Sequence, residues 1–538
     1  MAKKDVTYQV DMDQLLYVAE NGKKRFVRKP DPKRLLDVDF RNYLIRRTII
    51  YIILAAFCTA FLLLLSASTS PLYADYCDGD SSIFMLIGKA IATGRNVYRD
   101  FFDHKGPILF YLNALGFYLT GTKVGVFIIQ CVFLSLTAIF MYKTARIFTK
   151  TVRSLLCVVI TILAFASTIS DGNLSEEYCM LFCVIPIYFS IRYFSLADDE
   201  HHPPLYSAIY GACFAVCAFI RINNGVMIGG VIMVVLVTEF ASGRVKSALL
   251  NLAGFFIGLA AITVPIIIFF AAKGLLGDMI FATFTFNFLY AAEGAEQTTS
   301  LMSVLLQWSL PILALIIISL IFARRLRAKV ASLITTVSVF ALIPALMGFA
   351  YTHYYTTLIP LISLYCAVFF FIATRRITFW SVLLCIAMIF PLSSYFVTFT
   401  YNVSHYTTKL IKQANPETYR DMHTDIYYSA TELSARIPEE DKDSVFGYDV
   451  AAAWFLQADI LPCCRLFTLQ ESWASHYSEF GREINQFMLD TPPKWVVIHN
   501  IDIIKSSQFL RIINDNYTLD SEFGYDLLYK RNENDASE

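Results

Sequence analysis

Charge is scarce in this sequence. Only 16% of its 538 residues are Asp, Glu, Lys or Arg, against about a quarter in an ordinary soluble domain. The 44 basic and 44 acidic residues cancel, so overall charge attracts no polyanion and no nucleic-acid partner is expected. Cysteine forms no framework: the 12 residues are scattered singly, mostly inside apolar runs, and Cys463 and Cys464 are adjacent, poor geometry for an ordinary disulfide. Zinc-type spacing is missing. So is a cleavable signal, because the first 46 residues are polar and basic and the first apolar run starts near Thr48. In residues 401–538 no glycine-rich phosphate loop leads into a helix, which leaves nucleotide binding there without support.

What fills the chain instead is apolar: 56% hydrophobic residues, 15% aromatic, with 45 Phe and 31 Tyr. Helices crossing a bilayer need about 17 to 25 apolar residues. Runs of this kind fall at 48–68, 124–142, 154–170, 178–196, 205–220, 226–241, 249–270, 301–322, 330–350, 356–373 and 377–398. The expectation is a polytopic α-helical membrane protein with about 11 transmembrane helices. Orientation follows from Lys and Arg near the span ends. The tail before the first span is strongly basic, and the basic connections 143–153, 242–246, 323–329 and 374–376 fall on the same side when the spans alternate. The loop "SLADDEHHPP" also falls there, without a basic residue. The N-terminus is therefore expected in the cytoplasm of a multi-pass plasma-membrane protein. The apolar segment 108–120 is about 20 Å long as a helix, too short to cross, and reads as an interfacial helix on the outer side. Residues 273–297 read as another.

Three regions follow: a cytoplasmic basic tail (1–46), a transmembrane module (47–400) whose outer loop spans 69–123, and an extracytoplasmic α/β domain (401–538). In the last, "DSVFGYD", "CRLFTL" and "KWVVIH" read as strands alternating with helices, which suggests a mostly parallel sheet.

The outward loops carry more ionisable groups than connections need. Asp75, Asp78 and Asp80 precede the amphipathic stretch "SSIFMLIGKAIATG", so Asp80 opens a helix, either as a cap or as a carboxylate able to take a proton from an acceptor hydroxyl. In "YRDFFDHKGP", Lys105 stands at headgroup depth, to snorkel or to hold a phosphate. Arg99, Asp100, Asp103 and His104 are expected as a polar mesh around it. Arg221, Asn223 and Asn224 crowd one tight reversal, where a second phosphate-facing cation or an interhelix contact would fit. Asp171, Glu176 and Glu177 add acids without a compensating cation, suited to a divalent ion, sugar hydroxyls or a helix start. His353, Tyr354 and Tyr355 suit either a sugar or phosphate contact or an interfacial belt. Taken together, these groups describe carboxylates above cations at headgroup depth, the arrangement a lipid-phosphate-linked substrate requires.

The order of these residues resembles the GT-C superfamily of polyprenyl-phosphate-dependent glycosyltransferases, in particular glycosyltransferase family 39, the protein O-mannosyltransferases and the aminoarabinose transferases. That branch opens a juxtamembrane helix with Asp-Glu and follows it with Lys-Pro-Pro-Leu leading into "YWLNAL". The counterparts here are Asp80-Ser81 and "KGPILFYLNALG", with serine for the glutamate and Gly106 for the first proline. The resemblance implies Asp80 as catalytic base, Lys105 and Arg221 as donor phosphate ligands, and an acidic site at Asp171, Glu176 or Glu177. It further implies an inverting transfer of a hexosyl or pentosyl unit from a polyprenyl-phosphate donor to an envelope glycan, lipid or protein. No cofactor is required, although a divalent cation could bind among the acids. A transporter or flippase for a lipid-linked saccharide is the alternative; it would need the cations but not a base.

Overall fold

The computed structural model describes residues 16–20, 23–27, 38–195, 201–289, 310–345, 351–373, 379–414 and 426–532. Half of the "SLADDEHHPP" loop (196–200), the "TRR" connection, the end of the 273–297 stretch and the start of the eighth expected span lie outside them. The first described element, unexpected in a polar tail, is an antiparallel hairpin of β1 (Leu16–Glu20) and β2 (Lys23–Val27). Its sequence is joined by Asn21-Gly22, the dipeptide favoured in two-residue hairpins.

A helical bundle follows. Its members are α1 (Val38–Leu65), α2 (Asp80–Ala92), α3 (Pro107–Thr120), α4 (Lys123–Phe148), α5 (Thr151–Phe165), α6 (Ser175–Phe194), α7 (Pro204–Arg221), α8 (Val226–Ala241) and α9 (Val245–Ala272). They continue as α10 (Leu276–Leu289), α11 (Leu310–Ile321), α12 (Ala328–Ala345), α13 (Ile359–Ala373) and α14 (Phe379–Gln413). Every expected span therefore has a helix in it. By length and composition, six apolar stretches among the described residues can cross a membrane, the longest running from Pro204 to Ala241 through the turn at Arg221. Helices α7 and α9 run parallel along a close seam, with Gly254 and Gly258 of α9 against the backbone of Pro204 and Ala208, the small-residue contact that lets membrane helices approach. Basic residues gather at one end of the bundle: Arg46, Lys143, Arg146, Lys150, Arg153, Arg192, Arg244, Lys246 and Lys329. The loops holding Asp80, Lys105 and Arg221 lie at the other.

The short helices α2 and α3 sit at that second end. Pro107 starts α3 at its first turn, and Gly121, at φ +69°, ends it. Helix α2 is almost wholly buried, with α3 on one side and the C-terminal domain on the other. The last helix of the bundle runs to Gln413, so residue 401 falls inside α14 and not at a boundary. Its final turns clasp the loop before α2: Lys409 pairs with Asp75 at 3.0 Å, and the Gln413 side-chain oxygen accepts the Ala74 N–H at 3.2 Å.

The C-terminal domain contains α15 (Ile426–Ser434), β3 (Val445–Tyr448), α16 (Ala452–Ala458), α17 (Gln470–His476), α18 (Ser478–Asp490), β4 (Trp495–His499), α19 (Ser507–Asn516), β5 (Tyr517–Phe523) and β6 (Asp526–Arg531). The sheet order is β3-β4-β6-β5, and only β3 and β4 are parallel. This corrects the mostly parallel sheet expected above. "CRLFTL" is not a strand; it is irregular chain crossing beside β3, where Cys463 donates its N–H to the Val445 carbonyl. The missing strand is supplied by the β5–β6 hairpin, which turns at Gly524 with φ +59°.

Candidate functional site

Asp80 is the first residue of α2. The residue before it, Gly79, has φ +104°, a backbone conformation that glycine enters without steric cost. That turn leaves the Asp80 carboxylate partly exposed at the helix N-terminus, where the peptide dipoles favour a negative charge. Its neighbour Ser81 accepts a hydrogen bond from Asn173 Nδ2 at 3.1 Å, and Asn173 also donates to Asn113 of α3 at 2.9 Å. Ser81 thus ties the start of α2 to the α5–α6 loop.

Lys105 lies 3.8 Å from Asp80 Oδ2 and 4.0 Å from Asp103 Oδ1, and only about 5% of it is exposed. Its backbone is fixed from several directions. Asp103 accepts its N–H at 2.8 Å, Tyr98 donates to its carbonyl at 2.9 Å, and Asn287 of α10 donates to the His104 carbonyl at 2.6 Å. The next residue, Gly106, donates its N–H to the Ile220 carbonyl at 2.9 Å, and a Cβ there would stand 2.1 Å from the Phe219 carbonyl oxygen. Glycine at this position lets the Lys105 loop touch the end of α7, one residue before Arg221.

Arg221 ends α7. Its guanidinium pairs with Glu176 at the start of α6 and lies over the Tyr354 ring, 3.8 Å from the centroid. The neighbouring His353 lies within electrostatic reach of both Asp80 and Glu176. Burial works to raise the Asp80 pKa, but Lys105, His353 and Arg221 together outweigh it and hold the carboxyl below its usual value. Burial works against the Lys105 charge, yet Asp103 and Asp80 leave it above the usual lysine value. Burial dominates at the other two members. It raises the Asp103 carboxyl above its usual range, and with Lys105 it pushes His104 well below, so the His104 ring is neutral beside the Lys105 ammonium at 3.3 Å.

Asp80, Lys105, Arg221, Glu176, His104, Asp103, His353 and Tyr354 are therefore brought together, as the loops suggested. Others are not. Glu177 points away from Glu176 and accepts two hydrogen bonds from Gln130, at 2.9 and 3.1 Å, and one from the Asn173 N–H at 3.0 Å. Successive helical residues are turned by about 100°, which separates the two glutamates. Asp171, at φ +66°, accepts the Tyr406 hydroxyl at 2.8 Å and belongs to the α14 contact. Arg99 donates to the Gly274 carbonyl at 2.6 Å, and Asp100 accepts the Asn96 N–H at 2.8 Å, so neither joins the mesh around Lys105. Asn223 is exposed, Asn224 buried, and Tyr355 is buried. As for a divalent ion, the three carboxylates of the cluster, Asp80, Asp103 and Glu176, face Lys105 and Arg221, and no group of three His, Cys, Asp or Glu side chains suited to a metal occurs among the described residues. That donor set does not fit a metal centre.

On its far side Asp80 lines a cleft of about 270 Å³ between the loop before α2 and the C-terminal domain. Asp78 shares this wall; Asp449, His499 and Asp526 face it. His499 Nδ1 lies 2.7 Å from Asp526, whose hydrogen bond keeps the imidazole above its usual pKa, and Asp526 also accepts the Ser429 hydroxyl. None of these domain residues stood out in the sequence, because charged side chains are ordinary in a soluble domain. The domain is held in place by an aromatic cluster: Phe102 meets Phe480 at 4.7 Å and Trp473 at 6.0 Å, and Phe286 joins both. Phe102 also donates its N–H to the Arg465 carbonyl at 2.9 Å, and the Arg465 side chain pairs with Glu483.

Two solved structures share this architecture. ArnT from Cupriavidus metallidurans bound to undecaprenyl phosphate superposes with a TM-score of 0.54 at 10% identity, over 90% of this chain and 97% of that one. The same enzyme in the apo state gives 0.55 at 12%, over 90% and 98%. At these identities the likeness establishes the fold alone, which is of the GT-C type that the resemblance implied. No match is found among curated protein sequences. The family model for the competence-induced protein Ccs4 N-terminal domain matches residues 46–374, well over half of the chain, and the protein belongs to that family.

Proposed function

We propose that this protein is a membrane glycosyltransferase that moves a sugar from a polyprenyl-phosphate donor to a hydroxyl of an acceptor outside the cytoplasm. One observation carries the reading. The partly exposed Asp80 carboxylate touches a buried cation on one side and an open cleft on the other. ArnT, which shares the fold, is seen with undecaprenyl phosphate. The basic end of the bundle supports, by the positive-inside rule, a reading in which that end faces the cytoplasm and the site, the C-terminal domain and the acceptor lie at the outer face of the plasma membrane.

In this scheme Lys105 and Arg221 receive the donor phosphate. Glu176 and Tyr354 hold the guanidinium plane, leaving further N–H donors of its fork for phosphate oxygens. The acceptor hydroxyl gives its proton to Asp80 as its oxygen attacks the anomeric carbon from the face opposite the phosphate. The bond from anomeric carbon to phosphate oxygen breaks, the electron pair leaves with the lipid phosphate, and the configuration inverts. Two fixed cations meet the charge growing on the leaving group, help that needs no rearrangement at the moment of reaction.

Asp80→Asn tests the chemistry. General-base catalysis typically contributes 10²–10⁴-fold, so mass spectrometry of envelope glycans from cells carrying this variant should show transfer reduced by roughly that factor. Purified variant in nanodiscs should still bind undecaprenyl phosphate. A carrier that only flips a lipid-linked sugar would go on delivering it, and that result would overturn the transferase reading.

A further inference from the structure

The wall of the cleft opposite Asp80 belongs to the C-terminal domain, and its chemistry is one-sided. Asp78 and Asp80 line the cleft from the bundle side and Asp449 and Asp526 from the domain side, and no Lys or Arg lines it. Only one of the four is closely matched by a positive group within the cleft, Asp526 by His499. Asp449 is held in place by backbone: its carboxylate accepts the Glu471 N–H at 3.1 Å, and the Asp449 N–H is taken by the Gln470 side chain at 2.6 Å. Its φ of +51° turns it out of the line of β3. At the rim stands Tyr525, 59% exposed at the tip of the β5–β6 turn and 6.3 Å from the His499 ring. An exposed aromatic face beside hydrogen-bonding carboxylates suits the apolar face and hydroxyls of a sugar ring. A volume of about 270 Å³ lies near the lower end of small-molecule pockets, the scale of one sugar-sized unit.

We propose that this cleft selects the acceptor by charge: it takes a hydroxyl-bearing saccharide unit that is neutral or carries an amine, and turns away one carrying phosphate or carboxylate. The proposal rests on the transferase reading for the meaning of "acceptor", but its physics is separate from the chemistry at Asp80. An anionic unit would bring like charges together where Asp449 and Asp78 already stand. Phosphate is then handled only on the opposite side of Asp80, by Lys105 and Arg221, which keeps lipid donor and acceptor from exchanging places. Asp449 and the His499–Asp526 pair are positioning residues in this account.

The test uses the full chain in nanodiscs and three probes of similar size: glucosamine, N-acetylglucosamine and N-acetylglucosamine 6-phosphate. Calorimetric or NMR titration should rank them in that order, the phosphate weaker than the neutral sugar by roughly tenfold or more, as like-charge juxtaposition predicts. Asp449→Asn keeps the shape and removes a charge, and should narrow that gap. Tyr525→Ala, at an exposed position, should weaken all three several-fold. Retained binding of undecaprenyl phosphate reports that each variant is folded. Equal or tighter binding of the phosphorylated sugar, binding of none of the probes, or indifference to both substitutions would overturn the proposal. The two readings fail separately. If the charge order holds while Asp80→Asn transfers normally, the transferase reading falls and the cleft stands. The reverse pattern removes only the cleft.

Discussion

At the scale of single residues, the site is an argument about who neutralises whom. Lys105 answers Asp80 and Asp103, and Arg221 answers Glu176. Each cation keeps a carboxylate charged in surroundings that would otherwise neutralise it. In the proposed mechanism Lys105→Ala removes a charge-assisted contact to donor phosphate worth about 1.5–3 kcal/mol, so the donor KM should rise roughly 10- to 100-fold, measured in membrane vesicles with a synthetic polyprenyl-phosphate sugar. A pH profile adds an independent check. The Asp80 pKa is depressed, so its base form is present above the ordinary carboxylate range and is lost only as pH falls below it. The acid limb of kcat/KM should therefore lie below that of an ordinary aspartate in the parent protein and move up in Lys105→Ala. An unmoved limb would remove Asp80 as the group being titrated. Ionisable residues were easy to find here because they are conspicuous in an apolar chain. Which of Glu176 and Glu177 belongs to the site was open to helical periodicity, but only with the direction of Arg221 in hand.

The elements matter through two contacts that no motif announces. Gly106 lets the loop ahead of α3 rest on the last carbonyls of α7, and so sets Lys105 beside Arg221 although 115 positions separate them in sequence. Gly106→Ala must push that backbone apart. We expect a stability loss of about 1–3 kcal/mol, as for other overpacked sites, and weaker undecaprenyl phosphate binding with Lys105 and Arg221 both still present. Normal donor affinity in this variant would show that the approach of the two elements is not needed for binding. Helices were legible from apolar length, and α3 from its Pro107 start. The sheet was less so. β5 reads "YTLDSEF", with polar residues at most positions, because it is an edge strand that buries little. "CRLFTL" has strand-like composition, but Leu466 and Phe467 are buried as irregular chain, with Phe467 against Phe101 of the loop ahead of α3, so tertiary contacts override propensity.

For the whole molecule, the decisive feature is that the bundle and the C-terminal domain build the site jointly. Phe102, two residues from His104, is gripped by Phe480 and Trp473 of the domain. Phe480→Ala should cost about 3–5 kcal/mol. It should loosen the loop at 98–105, seen as faster hydrogen exchange there, and lower transfer without touching a charged group. Unchanged exchange in that loop would mean the domain merely sits beside it. This joint construction was beyond the sequence, since a contact between residues 102 and 480 leaves no local pattern. It also has a kinetic consequence. In the proposed mechanism Asp80, between Lys105 and the cleft, acts as base and not as nucleophile, so the sugar passes straight from donor to acceptor. Both chambers must be filled at once, so initial-rate plots at several fixed acceptor concentrations should give intersecting lines, not the parallel ones of a double-displacement enzyme.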